Sequence, residues 1–213
     1  MKVNCMKKIL VMLAAAAVLA GCGGKKSEGD NASIPVEDMQ WKKTDPYEMD
    51  FRPFKMISKD WMALAVGSGD RMNSMTVSWG TLGELWSRPV FTVFVRSSRY
   101  TKKLMDENKY FTVSAFPQTA KNRESLVHIG GHSKKDDPDK TANAGLEVEY
   151  SELGNPLFRQ SDLAFECRIL YREELKEELL PPEIRKIYAE GDHAMHTMYI
   201  GEIVNVYVKE QEQ

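Results

Sequence analysis

The apolar residues of this chain fall mostly in short runs of strand length, with only brief stretches at helical spacing. "WMALAVGSG" (Trp61 to Gly69) reads as a strand closed by a glycine turn, and "MTVSWG" and "VFTVFVR" as further strands rich in β-branched and aromatic residues. A helix is expected from Ser98 to Asn108, with Tyr100, Leu104 and Met105 on its apolar side and Lys102, Lys103 and Asp106 solvated. "YFTVSAF" is a strand stopped by Pro117, and Asn122 to Ile129 a short helix halted by Gly130 and Gly131. After the polar loop "GHSKKDDPDK" come strands at "LEVEY" and "LAFECRILYREEL", a helix after Pro181-Pro182, and a last strand, "TMYIGEIVNVYV". Many short strands with brief helices predict a mainly β fold, a closed or partly open β-barrel with short helices at its ends, and not a doubly wound parallel sheet. The runs Val90 to Val95 and Tyr110 to Phe116 fit a wall buried on both faces.

The first residues follow another logic. Lys7 and Lys8 precede a twelve-residue apolar run, Ile9 to Ala20, and "LAGC" ends at Cys22. A basic segment, a short apolar region and small residues describe an export signal, and the run is too short to span a bilayer, which takes about 20 apolar residues. "LAGC" also resembles the bacterial lipobox, whose cysteine becomes the lipidated N-terminus. Residues 1–21 are thus expected to be a lipoprotein signal peptide, Cys22 the lipidation site, 22–40 a flexible tether, and 41–213 the folded domain, held at a bacterial cell envelope. Loss of Lys2, Lys7 and Lys8 with no acid shifts the net charge from −2 to −5. A mildly acidic chain lacks the electrostatic footprint of a nucleic-acid binder. With Cys5 removed and Cys22 lipidated, Cys167 has no partner for a disulfide and reads as a small buried apolar residue.

Most candidate motifs dissolve under inspection. "GSGDRM" has Met72 where a dinucleotide fingerprint needs its third glycine, and strands follow it, so it reads as a turn. His128 and His132, and His193 and His196, have spacings a metal can use, but no cysteine or close carboxylate completes a ligand set, so no metal is expected. No nucleophile–base pairing emerges and no catalytic residue is assigned.

Two stretches carry more. In "VRSSRYT" a strand gives way to a helix through Arg96, Ser97, Ser98, Arg99, Tyr100 and Thr101. Ser97 or Ser98 suits an N-cap, but cations at a helix N-terminus oppose its dipole. A phosphate there reverses that penalty, because free N–H groups, dipole and arginines all favour it; pairing of the arginines with distant acids is the alternative. "NSMTVSWGTLGELWSRP" sets small hydroxyl residues, Asn73 and two glycines among apolar residues, followed by Trp79 and Trp86; it fits a planar polar ligand or a core strand plus loop.

In order along the chain, "NSMTVSWGTLGELWSRP", "FVRSSRYTKKLMDENKYFTVSAF", "GGHSKKDDPDK" with "AGLEVEY", "LAFECRILY" and "HTMYIGEIVNVYV" resemble the flavin reductase-like family of FMN-binding split barrels, close to flavoredoxin. The resemblance runs from about Trp61 to Val208 and implies an antiparallel split barrel, a homodimer, and FMN near the subunit interface. It implies that Arg96, Ser97, Ser98, Arg99, Tyr100 and Thr101 hold the FMN phosphate. Asn73, Ser74, Met75, Thr76, Val77, Ser78 and Trp79 would lie along the isoalloxazine and ribityl chain. It implies further contacts from His132, Ser133 and Lys134, in a loop that reads "HSKKDD" where relatives commonly read K-S-G-R-D, and from His196 near the flavin. The implied function is an FMN oxidoreductase, a flavin reductase or a flavoredoxin-like electron carrier, reduced by a nicotinamide or a redox protein. A non-catalytic flavin- or ligand-binding lipoprotein is the alternative.

Overall fold

β9 (Leu163–Glu174) and β10 (His196–Lys209) form the antiparallel spine around which the other strands assemble. The computed structural model describes residues 40–50 and 52–209; the expected signal segment, Cys22 and the tether up to residue 39 lie outside them. One flank of the spine carries β6 (Tyr110–Ala115), then β2 (Met62–Val66), then β3 (Asn73–Val77). On the other flank β5 (Pro89–Arg96) pairs with the first half of β10, β4 (Gly80–Glu84) pairs with β5, and β1 (Trp41–Thr44) pairs with the last residues of β10. All pairings are antiparallel and the sheet curls into a half-barrel, the split-barrel architecture. Register shifts at Ile200/Gly201 and Ile203/Asn205 bend β10 so that it can serve both flanks. Gly201 sits where a Cβ would come within 2.8 Å of Phe111 and Cys167, so the bend needs a glycine.

Alternation explains the two faces. Met62, Leu64 and Val66 point into the barrel with Phe91, Val93, Phe111, Phe165 and the buried thiol of Cys167. Ala63 and Ala65 point outward beneath α3 (Ala120–Gly131), which contributes Leu126 and Ile129. That two-sided burial is why β2, β5 and β6 read as nearly continuous apolar runs.

On the outer face, the short hairpin of β7 (Val148–Tyr150) and β8 (Pro156–Phe158) is clasped by a buried charge. Glu166 on β9 is fully buried and accepts from Asn155 Nδ2 (2.7 Å), Asn205 Nδ2 (2.6 Å), the Tyr207 hydroxyl (3.1 Å) and the Ser151 hydroxyl. Every carboxylate oxygen is therefore satisfied by neutral donors. Burial, and then Glu166, hold the Tyr207 phenol well above its usual range.

The helices depart from expectation in detail. Short α1 (Pro53–Lys55) continues into a π-type turn, Met56–Asp60. α2 (Tyr100–Glu107) starts two residues later than expected, and its N-cap is Arg99, with no side-chain cap, rather than Ser97 or Ser98. Asp106, expected to be solvated, accepts from Tyr199 Oη (2.7 Å) and Lys102 Nζ (2.6 Å). α3 is N-capped by Thr119, whose hydroxyl accepts from Asn122 N at 3.2 Å, and it includes Gly130 and Gly131 instead of stopping before them. A Cβ at Gly130 would stand 3.1 Å from Thr76, so that glycine permits close helix–sheet approach. α4 (Lys140–Asn143) and α5 (Pro182–Ala189) follow. β1, β4, β8 and α4 were not anticipated; β4 is glycine-bearing and largely exposed, which hides it from any hydrophobic pattern. Among the described residues no helix is long and apolar enough to cross a membrane.

Candidate functional site

β5 ends at Arg96 and α2 starts at Tyr100, so residues 96–99 make a tight corner; the Arg99 N–H donates to the Arg96 carbonyl at 2.9 Å. Beside it lies a hollow of about 300 Å³ bordered by Asn73, Met75, Arg96, Ser98, Arg99, Tyr100, Thr101, Ile129, His132, Ser133, Lys140 and Asp192. A second, of about 280 Å³, continues along β3 past Met75, Thr76, Val77, Ser78 and Trp79 to Phe94 and His196. Met75, Arg96 and Arg99 border both, so a cationic end and a flatter groove form one run.

Asn73 is buried; its Nδ2 donates to the buried Thr101 hydroxyl at 2.8 Å, fixing β3 to α2, while its Oδ1 has no partner. A buried amide oxygen left unpaired beside a hollow is costly, and a ligand donor is one way to satisfy it. Arg96 donates to Asp192 Oδ1 at 3.0 Å, and the Ser98 hydroxyl to Asp192 Oδ2 at 2.6 Å. That hydrogen bond from Ser98 is the main cause holding the Asp192 carboxyl below its usual range, with Arg96 adding to it. Arg99 donates to the Gly130 carbonyl at 3.1 Å, which ties the corner to the end of α3.

At the far end, the His196 ring packs on Trp79 with centroids 4.9 Å apart, and its Nδ1 lies 3.0 Å from the Tyr188 hydroxyl. Burial, reinforced by Arg96 and Arg99, pulls its pKa down to about 4, so the ring is neutral near pH 7. It can exchange one hydrogen bond without adding charge. Trp79 is 47% exposed and Trp86 58% exposed; neither is a packed core residue.

Not every expected residue turns toward the hollows. The Ser74 hydroxyl pairs with Thr141 Oγ1 at 2.8 Å and that of Thr76 with the Leu126 carbonyl, both on the face covered by α3 and α4. Thr76 still borders the groove. Ser97 is exposed and borders neither hollow; its N–H donates to the Met195 carbonyl at 2.9 Å. Lys134 donates to the Met72 carbonyl at 2.5 Å and also borders neither, whereas His132 and Ser133 do reach the cationic end. His128 and His132 stack with centroids 4.0 Å apart, a pairing the uninterrupted helix allows. Among the described residues, no group of three His, Cys, Asp or Glu could hold a metal ion. Asp192 and Lys140 escaped sequence reasoning: one sits in a loop 96 residues from its arginine partner, the other in a charge run that looks solvated.

The profile of the family described as "Flavin reductase like domain" matches residues 61–213. No protein of curated function matches the chain. Among solved structures, the FMN-binding domain of a flavin reductases-like enzyme from Shewanella baltica OS155 is similar over 81% of this chain and 78% of its own, at 15% identity and a TM-score of 0.57. Flavoredoxin from Methanosarcina acetivorans is 23% identical over 81% of this chain and 77% of its own, with a TM-score of 0.55. The NADH:FAD oxidoreductase of Streptomyces globisporus C-1027 is 21% identical over 69% and 73%, with a TM-score of 0.51. At these identities the likeness establishes the fold.

Proposed function

The chain belongs to the flavin reductase like domain family, and from that membership we propose that it binds FMN and serves as an FMN-dependent oxidoreductase or electron carrier. The observation that carries this reading is the single run along β3 from a cationic hollow to a groove walled by Trp79 and His196. Arg96, Arg99, the Ser98 hydroxyl and the uncapped start of α2 suit a phosphate; the orphan Asn73 Oδ1 suits a ribityl hydroxyl. FMN, when bound, supplies hydride and single-electron chemistry, and the protein supplies orientation and electrostatics. The half-exposed Trp79 indole can cover a ring face, and neutral His196 can hydrogen-bond at the rim without repelling a cationic nicotinamide. A nicotinamide or a redox protein serves as donor; export favours the redox protein, since nicotinamide pools are cytosolic. The protein pairs as a homodimer. Sedimentation of the purified, FMN-mixed protein, followed at the visible flavin band, is expected to show flavin moving with a dimer. A colourless boundary would sink the flavin reading, and a monomer at micromolar concentration the dimer.

Envelope anchoring forms part of the same reading, resting on the basic, apolar and "LAGC" segments that end at Cys22. Cys22→Ser is expected to move the protein from the membrane to the soluble fraction or to block its maturation. Unchanged fractionation and electrophoretic mobility would refute the anchor.

A further inference from the structure

The cationic end of the site holds a third cation. Lys140 opens α4 and is only 3% exposed, yet borders the same hollow as Arg96 and Arg99. Its Nζ donates to the Ile129 carbonyl at 3.1 Å and the His132 carbonyl at 2.8 Å, both neutral oxygens at the end of α3. Asp137, the acid that acts on it, is turned to His128 Nε2 at 3.1 Å and Asn143 Nδ2 at 2.8 Å. An ammonium buried against neutral acceptors is costly, and Arg99 and Lys134 add repulsion. Around the hollow, three cationic side chains face the single carboxylate of Asp192. A second observation points the same way, since Asn73, which borders that hollow, is 1% exposed and its Oδ1 is a buried acceptor without a partner.

We infer that Lys140 is a third cationic ligand of a dianionic phosphate monoester, and that Asn73 Oδ1 accepts from a hydroxyl on the chain that carries the phosphate. The inference rests on the FMN reading and assigns the site a charge requirement: two net positive charges meet a group of nearly two negative ones. It also gives binding a pH dependence. Burial, with help from Arg99, draws the Lys140 ammonium down to about 8. A bound dianion favours the charged ammonium, so above that pH binding takes up a proton and affinity falls as pH rises; between it and about pH 7, above the phosphate's own second pKa of about 6, affinity is nearly flat. The groups facing Lys140 are Arg99 at the N-cap of α2, Lys134 and Asp137 in the loop after α3, and His132 at its end.

The test is the ratio of FMN to riboflavin affinity, by titration of the whole protein between about pH 7 and pH 9.5, a span that brackets this lysine. Both ligands share a ring, so the ratio isolates the phosphate. In the wild type it is expected to fall by roughly tenfold across that span. Lys140→Met should lower FMN affinity by about ten- to a hundredfold at pH 7, spare riboflavin, and flatten the ratio. Lys140→Arg should keep the preference and flatten it too, and decides the matter even if the methionine variant does not fold. A wild type that prefers FMN with a flat ratio, or a slope that survives in Lys140→Arg, overturns the role of Lys140 and leaves the FMN reading standing. No preference for FMN overturns both.

Discussion

Replacing Arg99 by alanine is expected to weaken FMN binding by roughly ten- to a hundredfold, the worth of one or two hydrogen bonds to a charged group. Riboflavin affinity should hardly change, because that ligand has no phosphate to lose. Arg99 borders both hollows and caps α2 through its backbone alone, so its guanidinium is held at the corner by little more than the Gly130 carbonyl. Its removal should cost the unliganded protein little stability, since a cation at a helix N-terminus opposes the dipole and since Arg99 repels both Lys140 and a protonated His196. Paired titrations of FMN and riboflavin against wild type and variant measure all of this. Equal affinities for the two flavins in the wild type would return the corner to an ordinary solvated turn.

Glu166→Ala is expected to be the most destabilising single change in the outer layer, lowering unfolding free energy by about 3–5 kcal/mol, because buried donors left unpaired cost about 1–3 kcal/mol each and water relieves only part of it. Ser151, Asn155, Asn205 and Tyr207 would all lose their acceptor at once. Ser151 and Asn155 flank the β7–β8 turn, so the hairpin should loosen first and protease should cut there. Glu166→Gln keeps the shape and one acceptor oxygen and should cost clearly less. Urea unfolding separates these outcomes; a loss below about 1 kcal/mol for the alanine variant would mean the four donors find water or each other.

Local patterning was enough to read the barrel wall. β5 and β6 announce themselves because both of their faces are buried, and the chain from Arg96 to Thr101 stands out because its charges oppose the helix it opens. Glycine was the ambiguous letter. At Gly130 it looked like a helix stop, whereas it gives α3 room to lie against Thr76. Long-range partners left no local trace. Glu166 is visible as a charge inside an apolar run, but nothing near it names Ser151 or Tyr207; Asp192 likewise reveals its role only once β10 pairs with β5 and the preceding loop falls beside Arg96. Lys140 was hidden by its neighbours, since "KKDDPDK" reads as a solvated run and only the fold buries its last member.

Cys167 lies inside the barrel against Gly201, wholly buried, and burial pushes its thiol well above the ordinary range. It is the sole cysteine among the described residues. A flavin held along β3 would therefore have no thiolate or disulfide of this domain with which to trade electrons, and would itself have to hold the pair between donor and acceptor. Each reduction and each reoxidation would act on the flavin directly. The partner that delivers electrons and the one that removes them would then each have to meet the same cofactor, one after the other.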